Sequence, residues 1–370
     1  MTTRKPASKD GHVLIIGAGV FGLTTALELK KRDYAHVTVL DRHLPPVLDG
    51  SSVDISRVIR TDYADPLYGQ MAREAYDGWM GEFKNYYHHS GFVMLANQPG
   101  HAYLEKSKEL NEALGQPLDV FNQASDVLQL YPNIQANLRG LKAYHNHKGG
   151  WADASASIRH LSLECSRLGV SFITGSRGTV VSLKYAGKRV VGVNVAHGDP
   201  IRASQVIIAA GAWSNTLIPI THATTASGQP VGFIQLTSKE SDELKDTPVI
   251  INLSTGMFCF PPTPQSNILK LARHGYGWAT QQEGGADESG RSQLVSAPKR
   301  DGNNVDASYL PVDAEEALRE GLRQLLPKFA NHPWMNRRLC WYSDTRQGDF
   351  IIDHHPRIEG LFLATGGAGQ

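Results

Sequence analysis

Gly17-Ala-Gly19-Val20-Phe21-Gly22 follows a short apolar run, Val13-Leu-Ile-Ile16, and Asp41 closes the next such run. These types and spacings suit a bound pyrophosphate. Gly17 allows a tight turn, Gly19 lets a phosphate approach the backbone, and Gly22 lets a helix pack closely on the strand. The free N–H groups at the helix start then face the anion. Asp41 lies 24 residues after Gly17 (41 minus 17), close to the spacing of about 20 at which a ribose-binding acid belongs. The motif alone fits NAD and FAD equally. Lys270 sits at an alternating position in Ile268-Leu-Lys-Leu-Ala272. A charge there is either solvated on one sheet face or buried for a purpose, and spacing alone favours solvation. Arg57 and Arg60 could grip a carboxylate with paired hydrogen bonds, or form an exposed basic pair. Cys340 is a soft nucleophile if ionised and a small apolar filler otherwise. The neighbours His88-His89 and His354-His355 point opposite ways on a strand and lack helical i, i+4 spacing, so they read as structural and no metal site is expected.

These groups need a frame. The hydrophobic pattern predicts strands at 13–16 and 37–40 around a helix at 23–31, then a loop over 44–52 and a helix over 65–83. A strand at 88–95 and helices at 102–114 and 154–168 follow. Strands at 170–174, 180–183, 190–195 and 205–210 read as the second half of a doubly wound nucleotide fold. From Gly228 shorter strands appear, at 231–236, 249–252, 257–260 and 268–272. Residues 281–304 read as a loop rich in Gly, Ser and charge. Asp313-x-x-Glu316 reads as a capping box for a helix with Leu318, Leu322, Leu325 and Leu326 on its apolar face, ended by Pro327. A last strand from residue 360 runs into a turn with Gly366, Gly367 and Gly369.

Bulk properties exclude several classes. With 37 Lys plus Arg against 36 Asp plus Glu, the net charge is +1, so no nucleic-acid partner is expected. No apolar run approaches the ~18 residues that a membrane span needs. The polar first ten residues lack the apolar core of a secretory signal. Cys165, Cys259 and Cys340 are too few and too scattered for a disulfide framework or a CxxC metal site. An intracellular compartment is expected.

Eight blocks occur in order over nearly the whole chain. They are Gly17 to Gly22, Ser51-Ser-Val-Asp-Ile-Ser-Arg-Val-Ile-Arg60, Gly149-Gly-Trp-Ala-Asp153, Ala209-Ala-Gly-Ala-Trp213, Leu269-Lys-Leu-Ala-Arg-His274, Arg338-Leu-Cys-Trp-Tyr342 with Asp344-Thr345, Phe350-Ile-Ile-Asp-His-His-Pro356, and Ala364-Thr-Gly-Gly367. Together they resemble the FAD-dependent amine oxidases of the monomeric sarcosine oxidase and fructosyl amino acid oxidase group. The fungal members, which include saccharopine, pipecolate and Amadori-compound oxidases, look nearest. The resemblance implies FAD as cofactor, held by Gly17, Gly19, Val20, Phe21, Gly22, Asp41, Arg42, Ser51, Ser52, Arg57, Gly211, Trp213, Gly366, Gly367 and Gly369. It implies that Cys340 carries the flavin through a thioether to the 8α carbon, and that Lys270 lies near flavin N5, where its charge favours electron transfer to O2. By the same resemblance Arg60 holds the substrate carboxylate, while His274 and Tyr342 line the substrate cavity.

Two departures qualify the match. Amadori-compound oxidases carry an acidic residue just after the active-site lysine, whereas here the stretch is Leu271-Ala-Arg-His274, which points to plainer N-alkyl amino acids. The family also continues past the last glycine turn into a helix containing Gly-Phe-Lys-Phe. The sequence ends at Gln370, so it is read as cut short before that helix and before any peroxisomal tripeptide.

The expected fold class is therefore α/β, with a Rossmann-like FAD-binding domain assembled from 1–85, 150–225 and 335–370. A β-rich, α+β substrate domain is expected from 86–149 and 226–334. The expected activity is FAD-dependent oxidation of N-substituted amino acids, giving an imine, then an amine with an aldehyde or oxo acid, and H2O2. The alternatives are a fructosyl amino acid oxidase and a non-catalytic nucleotide-binding fragment. The expected partners are an N-alkyl amino acid and O2, with no nucleic acid and no membrane. A monomer in the cytoplasm or peroxisome is expected.

Overall fold

The apolar run after His12 is buried on both sides because it forms an inner strand of a parallel sheet. The computed structural model describes residues 8–275, 277–286, 290–298 and 310–369. Parts of the expected 281–304 loop, namely 287–289 and 299–304, lie outside the described residues, as does Gln370.

The strand His12–Ile16 pairs in parallel with His36–Leu40 on one side and Gln205–Ile208 on the other. Ser171–Ile173 and Leu361–Thr365 extend the sheet in parallel, and Ile351–His354 closes one edge antiparallel. Alternate side chains leave opposite faces. Val13 and Ile15 meet the helices Val20–Lys31 and Ala154–Arg167 through Leu23, Leu27, Ile158 and Leu161. Leu14 and Ile16 meet Val180, Leu183, Val190 and Val193. The second face is thus covered by an antiparallel three-stranded sheet, Val180–Ala186, Arg189–Val195 and Ile201–Arg202. The strands expected inside a doubly wound sheet form this separate layer instead. Val180 and Leu183, like Val190 and Val193, turn an apolar face onto the parallel sheet.

An eight-stranded sheet forms the other half, in the order Asn336–Thr345, Thr224–Gln235, Ile268–Arg273, Met257–Cys259, Val249–Asn252, Phe92–Asn97, Leu141–Asn146, Leu118–Phe121. The helix Val312–Leu325 lays Leu318, Leu322 and Leu325 on one face, against Ile234, Leu269 and Leu271. Asn336–Thr345 belongs to this sheet while Leu361–Thr365 belongs to the parallel one, so the segment 335–370 is shared between the two. A small three-stranded sheet joins Arg57–Ile59, Gly150–Ala152 and Tyr87–His89, and Gln282–Glu283 pairs with Leu294–Val295.

Several boundaries differ from expectation. The first helix starts at Val20, inside the glycine motif. The expected strand at 88–95 is two strands, Tyr87–His89 and Phe92–Asn97, separated by Ser90 and Gly91. Thr224–Gln235 is a single twelve-residue strand, longer than the apolar run inside it, because Asn336–Thr345 pairs with it from Thr224 to Phe233. Asp313 does not cap its helix. Pro311 holds the N-cap position without a side-chain bond, and Asp313 instead accepts from Trp278 Nε1 at 3.3 Å. Among the described residues no helix is long and apolar enough to cross a membrane.

Candidate active site

At the carboxyl end of the parallel strands the chain leaves a cavity of about 740 Å³, where open α/β sheets place their ligands. Its wall includes Gly17, Gly19, Val20, Phe21, Asp41, Arg42, Ser51, Ser52, Arg57, Gly211, Trp213, Tyr342 and Gly367. Gly17 has φ +111°, and a Cβ there would strike the Ala209 carbonyl. A Cβ on Gly22 would strike the Gly17 carbonyl, so Gly22 serves helix packing and stands off the wall. The Asp41 carboxylate accepts from Ala18 N at 2.7 Å and Arg42 N at 2.6 Å, which braces the turn. Burial raises its pKa against those two bonds and the Arg42 charge. Arg42 makes a two-point pair with Asp49, at 2.5 and 3.0 Å, and lies 4.8 Å over the Trp213 ring.

The wall fits a dinucleotide. A Cβ on Gly19 would come within 2.9 Å of Ser52 Oγ, so the cradle beside the helix start is closed to any larger residue. Trp213 Nε1 is buried with no hydrogen-bond partner, a donor held ready for an acceptor that the chain does not supply. Ser52 Oγ accepts from Val20 N at 2.9 Å, and Ser51 Oγ donates to the Trp341 carbonyl.

Three expected cofactor residues besides Gly22 lie off the wall. Gly366 turns the chain at φ +83° after the strand Leu361–Thr365. Gly369 lies against the His274 ring. Cys340 is buried, but its neighbours Trp341 and Tyr342 line the cavity. Its hydrogen-bond partner Arg57 does so too, and also donates to the Ser51 carbonyl at 2.6 Å.

The register of the eight-stranded sheet explains how the remaining candidates meet. Phe233 pairs with Lys270, Val231 with Arg338, and Gln229 with Cys340. The period of two then sets Lys270, Arg338, Cys340 and Tyr342 on one sheet face, opposite the leucines that hold the helix. Lys270 is therefore buried, at 3 % exposure, and not solvated as spacing alone suggested. Its Nζ lies 2.8 Å from Asp54 Oδ2 and donates to the Ser56 carbonyl at 2.6 Å. Arg338 reaches the same Asp54 oxygen at 3.0 Å. Burial opposes the Asp54 charge, but Lys270, Arg338 and Arg57 outweigh it and bring the pKa down to about 2. Burial, with repulsion from Arg57 and Arg338, lowers Lys270 to about 8 in spite of Asp54.

Arg60 stands in an aromatic cage. Its guanidinium lies 4.3 Å over Tyr63, and both terminal nitrogens turn to Tyr103 Oη at 3.1 Å. The neighbouring Asp62 is fully buried, with its carboxylate held by Asn111 Nδ2 at 2.9 Å and by Asn146 Nδ2 at 3.1 and 3.0 Å. Among the described residues Arg60 has no ion-pair partner. Its charge reaches both His274 and Tyr342, whose rings lie 5.5 Å apart. Burial lowers the His274 pKa, and Arg60 adds to the effect against Asp344.

Sequence reasoning passed over Asp54, Arg338, Asp62 and Tyr103. A signal existed for the first two. A buried lysine requires a counter-charge, and both residues lie inside blocks already singled out.

Residues 12–370 match the family model described as FAD dependent oxidoreductase (DAO). The L-saccharopine oxidase of Schizosaccharomyces pombe is 30% identical over 97% of this chain and 86% of its own length. The monomeric sarcosine oxidase of an Arthrobacter species is 24% identical over 98% of this chain and 88% of its own. Among solved structures, the fructosyl amine:oxygen oxidoreductase (Amadoriase I) of Aspergillus fumigatus superposes with a TM-score of 0.86 at 28% identity. That match covers 99% of this chain and 84% of that one.

Proposed function

The chain belongs to the FAD dependent oxidoreductase (DAO) family, and from that premise we propose that it oxidises amino acids whose nitrogen is a secondary amine. In the overall reaction the substrate loses two hydrogens, from nitrogen and the adjacent carbon, to become an imine. Water hydrolyses the imine to an amine and an aldehyde or oxo acid, and two electrons with two protons convert O2 to H2O2. FAD, when bound, supplies the two-electron acceptor that side chains lack.

The chain's own residues bind and orient. The turn Gly17 to Gly22 and the N-terminus of the helix Val20–Lys31 would hold the pyrophosphate, and Asp41 the adjacent ribose. Ser51, Arg57 and Tyr342 would hold the ring end, with Cys340 its covalent anchor. Arg60 binds the substrate carboxylate, and the Tyr63 and Tyr103 rings exclude water and fix the fork. His274, held neutral by burial, faces the amine beside Tyr342. Lys270, fixed by Asp54, presents positive charge for oxygen reduction.

One observation carries the reading: among the described residues Arg60 is a caged cation whose side-chain hydrogen bonds go to Tyr103 and to no carboxylate. The test is H2O2 formation by the purified protein on a panel of amino acids, comprising N-methyl, N-carboxyalkyl, cyclic secondary-amine and N-fructosyl compounds. Turnover on the first three classes supports the reading. Turnover on N-fructosyl compounds alone would move it to the Amadori class, which the likeness to Amadoriase I favours. Arg60→Gln should raise KM about 30-fold or more, since losing one partner of a buried charge pair costs at least about 2 kcal/mol. An unchanged KM would remove Arg60 from the binding site. For Cys340, acid precipitation should leave yellow flavin in the pellet with the native protein and release it to the supernatant with Cys340→Ala. Release from the native protein would sink the linkage.

A further inference from the structure

His145, His147 and Asp119 converge at the edge of the eight-stranded sheet, on the strand pair Leu141–Asn146 and Leu118–Phe121. His145 lies on the strand Leu141–Asn146, directly paired with Asp119 on Leu118–Phe121. His147 follows just past the strand end, and its ring centroid lies 4.3 Å from that of His145. One nitrogen from each ring and a carboxylate oxygen all lie within 4.8 Å of one another. His147 Nε2 is 2.8 Å from Asp119 Oδ2, and His145 Nδ1 is 3.8 Å from the same oxygen.

His145 makes this more than a surface cluster. It is 4% exposed, and its Nδ1 is buried without a hydrogen-bond partner. Its other nitrogen, Nε2, is 3.0 Å from Tyr131 Oη. When Nε2–H donates to that oxygen, Nδ1 carries the lone pair and is aimed at Asp119 and His147. A ligand histidine is usually oriented in this way, by an outer partner on its second nitrogen. We propose that His145 Nδ1, His147 Nε2 and the Asp119 carboxylate form a binding site for one divalent transition-metal ion, with Zn²⁺ as the fitting case. Two imidazoles and one carboxylate suit Zn²⁺ and disfavour Ca²⁺ or Mg²⁺, which select oxygen donors. Tetrahedral ligands at the usual zinc distances lie about 3.4 Å apart. His147 and Asp119, both half-exposed, need only small side-chain shifts to reach that spacing around the fixed His145. Water fills the fourth position.

The ligands flank Asn146, whose side chain leaves the opposite face and holds the Asp62 carboxylate beside Arg60. A bound ion thus ties down the strand end that supports the Arg60 cage.

The test uses tag-free, chelator-treated holoprotein, dialysed against Zn²⁺ alone, with Mg²⁺ as the control. One Zn²⁺ per chain is expected, and the thermal midpoint should rise with added Zn²⁺. His147→Ala and Asp119→Ala, both at half-exposed positions, should keep the fold by circular dichroism. Each should weaken zinc binding at least tenfold and abolish the thermal shift. Tyr131→Phe should also weaken binding, by about tenfold, as loss of an outer partner does. Absence of saturable zinc, or binding unchanged in the folded His147→Ala and Asp119→Ala variants, overturns the site.

Discussion

Lys270 shows how far a single residue can be read. Its place in an apolar run left two faces open, and the deciding partner, Asp54, lies on a distant segment that no local pattern connects to it. The same holds for Arg60. The sequence carried the residue, but the cage of Tyr63 and Tyr103 around it is a property of the fold. Lys270 titrates near 8 because burial and two arginines oppose its charge. It is therefore charged below about pH 8 and neutral above. Re-oxidation of the reduced protein by O2 should slow as pH rises through about 8, measured by stopped-flow from pH 6.5 to 9.5. Lys270→Met should slow it by about 10²–10³-fold, the scale on which a preorganised charge stabiliser acts, and should remove the pH dependence. A variant that re-oxidises at the native rate would take Lys270 out of oxygen reduction.

Elements were legible where a periodic pattern and a backbone rule agreed. The strand, glycine turn, helix and second strand at the N-terminus are all present, and the helix starts early because its first turn is made of the motif itself. Patterns failed where pairing or an alternative partner prevailed. The strands Val180–Ala186 and Arg189–Val195 have the composition of sheet-core strands, and nothing local says which sheet they join. Asp313 has the spacing of a cap, yet Trp278 takes its carboxylate and Pro311 sets the helix start. A prediction at this scale concerns Gly22. Gly22→Ala pushes a methyl into the Gly17 carbonyl and the helix off its strand. It should cost about 1–3 kcal/mol in urea unfolding, as overpacking does, and weaken flavin retention with it. An unchanged midpoint with full flavin would show that the helix can shift freely.

In the whole molecule, Asp54 joins the Ser51 to Arg60 segment, which lines the cofactor cavity, to the sheet that carries Lys270 and Arg338. Removing one partner of a buried charge cluster leaves the others uncompensated. Asp54→Asn should therefore cost about 3–5 kcal/mol, measured by denaturant unfolding at pH 7. The sign in acid follows from its lowered pKa. The stabilisation is complete above the ordinary carboxylate value of 3.8 and is lost as pH falls through about 2. Lys270 has the same sign in pH, since its folded pKa also lies below the ordinary value, here 10.5, and its share of stability rises with pH between about 8 and 10.5. The short strands expected after Gly228 do enter one sheet, but the sharing of 335–370 between the two sheets was not readable, because strand pairing is non-local. That sharing has a consequence for synthesis. Gly17 leaves the ribosome 350 residues (367 minus 17) before Gly367, which lies on the wall of the same cavity. The strand Gln205–Ile208 must wait, unpaired on one side, until Leu361–Thr365 has been translated. The wall of that cavity is thus complete only once residue 367 has been made, whatever the earlier strands have done.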